Sequence, residues 1–397
     1  MSIDWDPEFD TPATIAIIGG GPVGVEAGLY ARFLGYDVWL FDSVKVGHRQ
    51  LAWGDQPLQQ PFGSVTSSLG LAALAAQGTA GECPAPEASV TYREYVEKYL
   101  LPVARTDLLY DSVQIQSPVL SISRTGCGNT TPIEQRAEQE FRVLIDSGQR
   151  GEYTQLVDIV IDCSGLSQRS GLASGGGIAI GERACQQAMR TGKVDMLGKH
   201  RAKFAGRHAL LFGRELSACA NALELSRLAE QVEGTRVTWI VPKQLGQPEL
   251  PLLDANCDAG FVSGVQGLLN NEHSAVVRLS AWGIEALQFD EAAGWMARLQ
   301  VGDEETLEVR GDTFVNCHDA TCDWSFAAGL VGVPSTVHAG VTAEPHFYVL
   351  GQKAVGPDEP CTFEQGFEQI KRLFAIIGGR ADLDLYETVR RHNATQG

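Results

Sequence analysis

The segment that most restricts the fold is Gly19-Gly20-Gly21-Pro22-Val23-Gly24, with Gly28 four residues on. TIAII (14–18) before it reads as a buried strand, VEAGLYARFLG after it as a helix, and YDVWLFD as a second strand. A strand, a glycine turn, a helix and a second strand open a parallel sheet. The spacing fits G-x-G-x-x-G. Gly19 makes the tight turn, Gly21 leaves room for a pyrophosphate, and Gly24 and Gly28 let the helix approach the sheet. The helix N-terminus then points its free N–H groups at the phosphates. Asp42 ends the second strand, 23 residues after Gly19, where a carboxylate accepts hydrogen bonds from ribose hydroxyls. The motif predicts dinucleotide binding and by itself fits FAD or NAD.

A second unit of the same pattern follows: AGRHALLFG, the helix SACANALELSRLAEQV and the strand TRVTWIV. The two units, at 14–42 and 207–241, read as a coarse duplication. Residues 43–90 read as loops with short helices. A helix follows, capped by Ser89 or Thr91 and ending near Pro102, with Tyr92, Tyr95 and Tyr99 on one core-facing side. VQIQSPVLSISR, EFRVLID and LVDIVIDCSG read as strands, the last as one strand ending at Ser164-Gly165. Residues 166–200 read as a crossover, and 243–275 as loop and short helix. AVVRLSAWGIEALQFD, WMARLQVG and TLEVRG read as a meander of strands. DTFVNCHDA repeats the strand-then-turn pattern of VDIVIDCSG. PHFYVLGQ reads as a last strand, and EQGFEQIKRLFAIIGG as a helix stopped by Gly378-Gly379. The expected class is α/β, with the first fold interrupted by the second and completed at the C-terminal end.

A net charge of −18 and the lack of any run of five basic residues argue against nucleic-acid or anionic-membrane partners. No apolar run reaches the roughly 18 residues of a membrane span, and MSIDWDPEFD lacks a signal-peptide pattern. The expectation is a cytoplasmic protein acting on a small molecule. The nine cysteines are odd in number and scattered, which favours free thiols. Cys317 and Cys322 have the spacing of a redox dithiol but follow a strand of the second fold, and no C-x-x-C occurs. Cys317, His318 and Cys322 lack a fourth ligand for zinc, so no metal is expected. No G-x-S-x-G turn supports a hydrolase.

The interrupted first fold, VDIVIDCSG and PHFYVLGQ together resemble the two-dinucleotide flavoproteins of the glutathione reductase, thioredoxin reductase and flavin monooxygenase group. Within that group, YREYVEKYLLPVA and GKVDMLGKHRAKFAGR are similar to bacterial FAD-dependent oxidoreductases of unassigned substrate. The resemblance implies two Rossmann-like three-layer domains: a discontinuous FAD domain, 1–170 and 325–397, and an inserted NAD(P)-binding-like domain, 171–324. The FAD-contacting set it implies is Gly19, Gly21, Pro22, Val23, Gly24, Asp42, Ser43, Gln50, Val119, Ser164, Gly165, Gly351, Gln352 and Gln365. Gln352 stands where the group usually has Asp. The NAD(P)H candidates are Gly213, Arg214, Ser217, Ala218 and Lys243, for NADPH or NADH. Glu215 replaces the second glycine there and brings bulk and like charge to the pyrophosphate position. It could instead turn outward to Arg214 or Lys243.

His48 and Arg49 are candidates to stabilise a reduced, anionic flavin, and Trp53 to stack on it; a surface loop tied down by Trp53 is the alternative reading. His338 and His346 flank the final strand as structural residues or proton carriers. The implied function is an FAD-dependent oxidoreductase, reduced by NAD(P)H and passing electrons to oxygen or a small organic substrate, monooxygenase-like and without a dithiol. The alternative is an FAD protein whose NAD(P)H site Glu215 has disabled: an accessory or sensor flavoprotein, or an oxidase or isomerase needing no external hydride. A third reading is an NAD-dependent dehydrogenase using the first fold for NAD. Homodimers are common in this group.

Overall fold

The structure is a computed structural model and describes residues 12–58, 60–128, 130–148, 151–167, 179–243, 259–270, 275–317, 321–333, 340–356 and 361–396. His318 and His338 lie outside the described residues. The chain divides into two compact units, Met1–Leu166 with Cys322–Gly397, and Ser167–Thr321.

The first unit is built on a five-stranded parallel sheet in the order Phe347–Val349, Ile159–Asp162, Thr14–Ile18, Asp37–Phe41 and Val113–Gln114. Successive side chains of its central strand face opposite ways. Ile15 and Ile17 enter a core with Val25, Leu29, Ile370 and Phe374 from the helices Pro22–Phe33 and Phe363–Ile377. Ala16 and Ile18 enter a second core with Ile122, Phe141, Val143 and Val157. Those residues come from an antiparallel sheet of Val119–Arg124, Phe141–Asp146 and Glu152–Val157. The unit therefore has three layers: helices, parallel sheet and antiparallel sheet.

The second unit repeats this plan. Its parallel sheet runs Val276–Ala281, Arg236–Pro242, His208–Phe212, Thr313–Asn316 and Arg190–Thr191. Ala209 and Leu211 pack on the side of the helix Leu216–Gln231, whereas Leu210 and Phe212 pack with Leu287, Trp295 and Leu299. The last three belong to the antiparallel strands Gly283–Asp290 and Gly294–Gln300, which continue to Thr306–Gly311.

Three readings of the sequence need correction. LVDIVIDCSG is two strands in two sheets, parted at Asp158, whose Oδ2 accepts the Thr14 N–H at 2.8 Å. Glu152–Val157 shows one face to solvent, whereas Ile159–Asp162 is buried on both, as a central parallel strand must be. AVVRLSAWGIEALQFD is also divided: Val276–Ala281 joins the parallel sheet and only Gly283–Asp290 enters the meander. Residues His48–Trp53, read as loop, form a helix. The helix at 92–104 carries a π-turn at Val96–Leu100 after a Thr91/Glu94 capping box. A further helix, Leu385–Gln396, was not anticipated. Its Tyr386 is buried against Tyr30.

Candidate functional site

Three turns meet at the C-terminal edge of the first unit's parallel sheet, where open α/β sheets bind their ligands. The first is Gly19–Gly21. Gly19 has φ +106°, and a Cβ there would fall 2.7 Å from the Cys163 carbonyl oxygen. A Cβ on Gly24 would fall 1.8 Å from the Gly19 oxygen. Only hydrogen fits at either place, so the turn stays tight against the following helix. Gly21 differs: a Cβ there would meet nothing within 4 Å. Its lack of a side chain answers no packing need of the protein and leaves the space in front of the helix N-terminus open, as an approaching phosphate requires.

The second turn is Cys163–Gly165, after Ile159–Asp162. Ser164 touches the first turn, since a Cβ on Gly19 would lie 2.9 Å from Ser164 Cα. The third is Gly351–Gln352, after Phe347–Val349. Val23 bridges to it, with its side chain 3.4 Å from a Cβ on Gly351 and 3.0 Å from one on Gly366. The first turn, Ser164–Gly165 and Gly351 are thus brought together.

Asp42 is at the strand end, with Oδ2 accepting the Gly20 N–H at 2.7 Å and Oδ1 the Val44 N–H at 2.8 Å. Spare lone pairs remain for hydroxyl donors. Ser43 is exposed beside it. Gln50 Oε1 is buried with no hydrogen-bond partner among the described residues. An orphaned acceptor of this kind calls for an outside donor. These residues fit a dinucleotide.

Other candidates are committed to local structure. Gln365 holds the Thr362 N–H in a capping box at the start of Phe363–Ile377. Gln352 donates to the Gly356 carbonyl and accepts the Cys361 N–H. Val119 packs with the antiparallel sheet core. Trp53 stacks on Tyr92 with ring centroids 5.6 Å apart. Tyr95 and Tyr99 are core residues. Arg49 is exposed, with Nη1 3.8 Å from a Cβ placed on Gly165, and His48 is exposed at the helix start. His346 has φ +60°, and its carbonyl accepts the Val160 N–H, a strand-end role. Burial pushes its ring pKa down.

Sequence reading missed the group beneath the three turns. Lys353 and Asp162 form an ion pair at 2.6 Å with neither side chain exposed. Lys353 Nζ also donates to the Asp323 carbonyl at 2.6 Å, and Ser164 Oγ is 3.4 Å away. Trp324 and Phe326 lie under the ammonium, with centroids 4.1 and 4.7 Å off.

In the second unit the same backbone carries different chemistry. Gly213 N–H donates to the Ile240 carbonyl as Gly19 N–H donates to that of Phe41. Asp42 therefore corresponds to Val241, Gly20 to Arg214 and Gly21 to Glu215. Glu215 Oε2 accepts the Arg214 N–H at 3.2 Å. The acid that engages this N–H comes from the turn itself and not from the strand end. Arg214 is fully buried, Ser217 half-buried and Ala218 buried. Lys243 Nζ donates to the Val301 carbonyl at 3.4 Å and lies 5.5 Å from the Trp282 ring centroid. Cys317 is buried, with its sulfur 3.1 Å from Asn221 Nδ2, and burial pushes its thiol up to about 12. Among the described residues no cluster of three metal-ligating side chains occurs, and no helix is long and apolar enough to cross a membrane.

Two glycine-turn units, the first discontinuous, give a plan of two Rossmann-like domains, glutathione reductase-like in fold. Solved structures share it. The cadaverine monooxygenase of Erwinia amylovora, a structure with FAD bound, aligns with TM-score 0.65 at 14% identity over 94% of this chain and 95% of its own. The L-lysine 6-monooxygenase of Pseudomonas syringae gives 0.63 at 14%, over 93% and 100%. The bacillithiol disulfide reductase of Staphylococcus aureus gives 0.60 at 14%, over 92% and 99%. At such identities the likeness is one of fold. No protein-family model matches the chain, and no curated protein does.

Proposed function

We propose that the protein is an FAD-dependent oxidoreductase acting on a small organic substrate or oxygen, with FAD held by the discontinuous unit. The observation that carries this is the tight Gly19–Gly24 turn, open at Gly21 and tied to Asp42 through the Gly20 N–H, together with the orphaned Gln50 Oε1. Bound FAD supplies the two-electron chemistry. The chain's own residues divide the remaining work. The N–H groups before Pro22–Phe33 receive the pyrophosphate, and Asp42 the adenosine ribose. Ser164, Gly165 and Gly351 offer backbone contacts, and Arg49 sets a positive charge beside Gly165. The named neighbours include amine monooxygenases and a disulfide reductase. The buried Cys317, 3.1 Å from Asn221 Nδ2 and with its thiol pushed up by burial, weighs against a Cys317–Cys322 dithiol, and hydroxylation of a small nucleophilic substrate is the chemistry we favour.

A second reading concerns the reductant. Glu215 folds onto its own turn, and Lys243 is directed to Val301 and Trp282. That arrangement favours a disabled NAD(P)H site, and with it an accessory or sensor flavoprotein, or an oxidase or isomerase independent of external hydride. An anaerobic titration with NADPH, then NADH, followed by visible absorption, tests both. A flavin band that bleaches promptly supports reduction by a pyridine nucleotide. A band that persists supports the disabled site. No band, and none restored by added FAD, overturns the central reading.

A further inference from the structure

We propose that Lys353 is a positioning residue of the FAD seat, holding the second and third turns in register through its buried pair with Asp162. The inference rests on the reading that this unit holds FAD. Removing two charges from water costs several kcal/mol per ion, and a buried pair often contributes no net stability over apolar residues of similar volume. Stability therefore gives little reason for an ammonium and a carboxylate with no exposed side-chain surface. Their location supplies one.

Asp162 ends the strand lying between Thr14–Ile18 and Phe347–Val349, so it stands midway along the sheet edge on which the three turns rise. One carboxylate oxygen, Oδ1, accepts the Ser164 N–H at 2.9 Å and so shapes the second turn. The other, Oδ2, receives Lys353, which directly follows Gly351–Gln352 of the third. The Asp162 carbonyl also accepts the Leu350 N–H at 2.9 Å. Lys353 reaches a further segment through the Asp323 carbonyl, and Trp324 and Phe326 cover its ammonium. One cation thus joins segments distant in sequence, two of which carry candidate cofactor contacts. Nothing in this arrangement requires Lys353 to touch the cofactor.

The test is FAD affinity of the apoprotein, read by flavin fluorescence, beside the thermal midpoint and the shape of the bound flavin's visible band. The double variant Asp162→Asn/Lys353→Met removes both charges and strands neither. It is expected to keep its thermal midpoint near that of the wild type, to bind FAD about tenfold or more weakly, in line with losing charged hydrogen bonds, and to alter the band shape. Lys353→Arg keeps the charge, moves its donors and serves if the double variant does not fold; the same loss is expected. Glu344→Gln, in a separate buried ion cluster of the same unit, is expected to lower stability with FAD affinity unchanged. Wild-type FAD affinity and band shape in whichever Lys353 variant folds would overturn the inference. A wild-type protein that takes up no FAD would instead sink the reading beneath it.

Discussion

Replacing Glu215 by glycine should open the second unit to NADPH. In the structure the Glu215 carboxylate is half-buried and bonded to the Arg214 N–H at 3.2 Å, inside a turn built like Gly19–Gly21. A pyrophosphate entering there meets a like charge at about 4 Å. The repulsion is ~1 kcal/mol at the dielectric of water and ~4 kcal/mol at an effective value of 20. These correspond to about fivefold and about a thousandfold in affinity. The half-buried position points to the middle of that range. Glycine is a tolerated helix N-cap, so the change itself costs only a few tenths of a kcal/mol, roughly. Glu215→Gln removes the charge and keeps the bulk, and should recover part of the gain. Calorimetric titration with NADPH and NADH gives the affinities, and anaerobic bleaching shows whether binding leads to reduction. Equal nucleotide affinity in wild type and Glu215→Gly, for both nucleotides, would refute the argument.

The reverse change belongs in the first unit: Gly21→Glu should leave the fold intact, because a Cβ there meets nothing, yet yield colourless protein. Gly24→Ala, by contrast, would place a methyl 1.8 Å from the Gly19 oxygen and should fail to give soluble protein; soluble, yellow Gly24→Ala would refute that packing. Glu344 pairs with Arg124 at 2.9 Å and Arg136 at 2.7 Å in a fully buried cluster, so Glu344→Gln, leaving two buried guanidiniums, should cost about 3 kcal/mol. The thermal midpoint should then fall by about 6–12 °C. Burial raises the Glu26 carboxyl from 4.5 to about 7, so the folded state holds a proton that the unfolded chain releases. Stability should decline as pH rises from 4.5 to about 7 and level off above, by about 3 kcal/mol in all. Denaturant titrations of Glu26→Gln across that window should be flatter, and an unchanged pH slope would count against it.

The parts of this fold that read from sequence are those whose signal is local. A glycine turn between an apolar strand and a helix announces itself within 30 residues or so. So does a capping hydroxyl: Thr91, one of the two candidates the sequence offers, caps the helix, with Glu94 completing the box. The parts that did not read depend on partners far along the chain. Lys353 and Asp162 are 191 residues apart, and Arg136 and Glu344 are 208 apart. Each looks alone like an ordinary charged residue, and only the strand order brings it to its partner. A weak signal did exist: Asp162 lies at the buried end of an apolar strand, where a carboxylate needs a counter-charge. The division at Asp158 was hidden because an apolar run does not say which sheet each half joins. The helix at His48–Trp53 was hidden by its length, since six residues show too little periodicity to be told from loop.

The duplication makes the two glycine turns controls for each other. Both follow the central strand of a five-stranded parallel sheet, and both begin with a glycine of positive φ, at +106° and +139°. Both rest on a cysteine carbonyl, that of Cys163 or Cys317, too close for any side chain on that glycine. With the scaffold held nearly constant, a difference in ligand chemistry has to come from the residues that differ. They include Gly20 against Arg214, Gly21 against Glu215, Gly24 against Ala218, and Asp42 against Val241. In the first unit the acid stands at the strand end, where it engages the turn and can still face a ribose, and no protein atom crowds Gly21. In the second the strand end is apolar and buried, and the acid occupies the turn. A turn that had merely drifted from use would carry arbitrary substitutions. Here the N–H that Asp42 satisfies in one unit is satisfied by Glu215 in the other, so the second turn is completed from within the chain. That favours a unit kept folded and closed to pyridine nucleotide over one that binds it weakly by neglect.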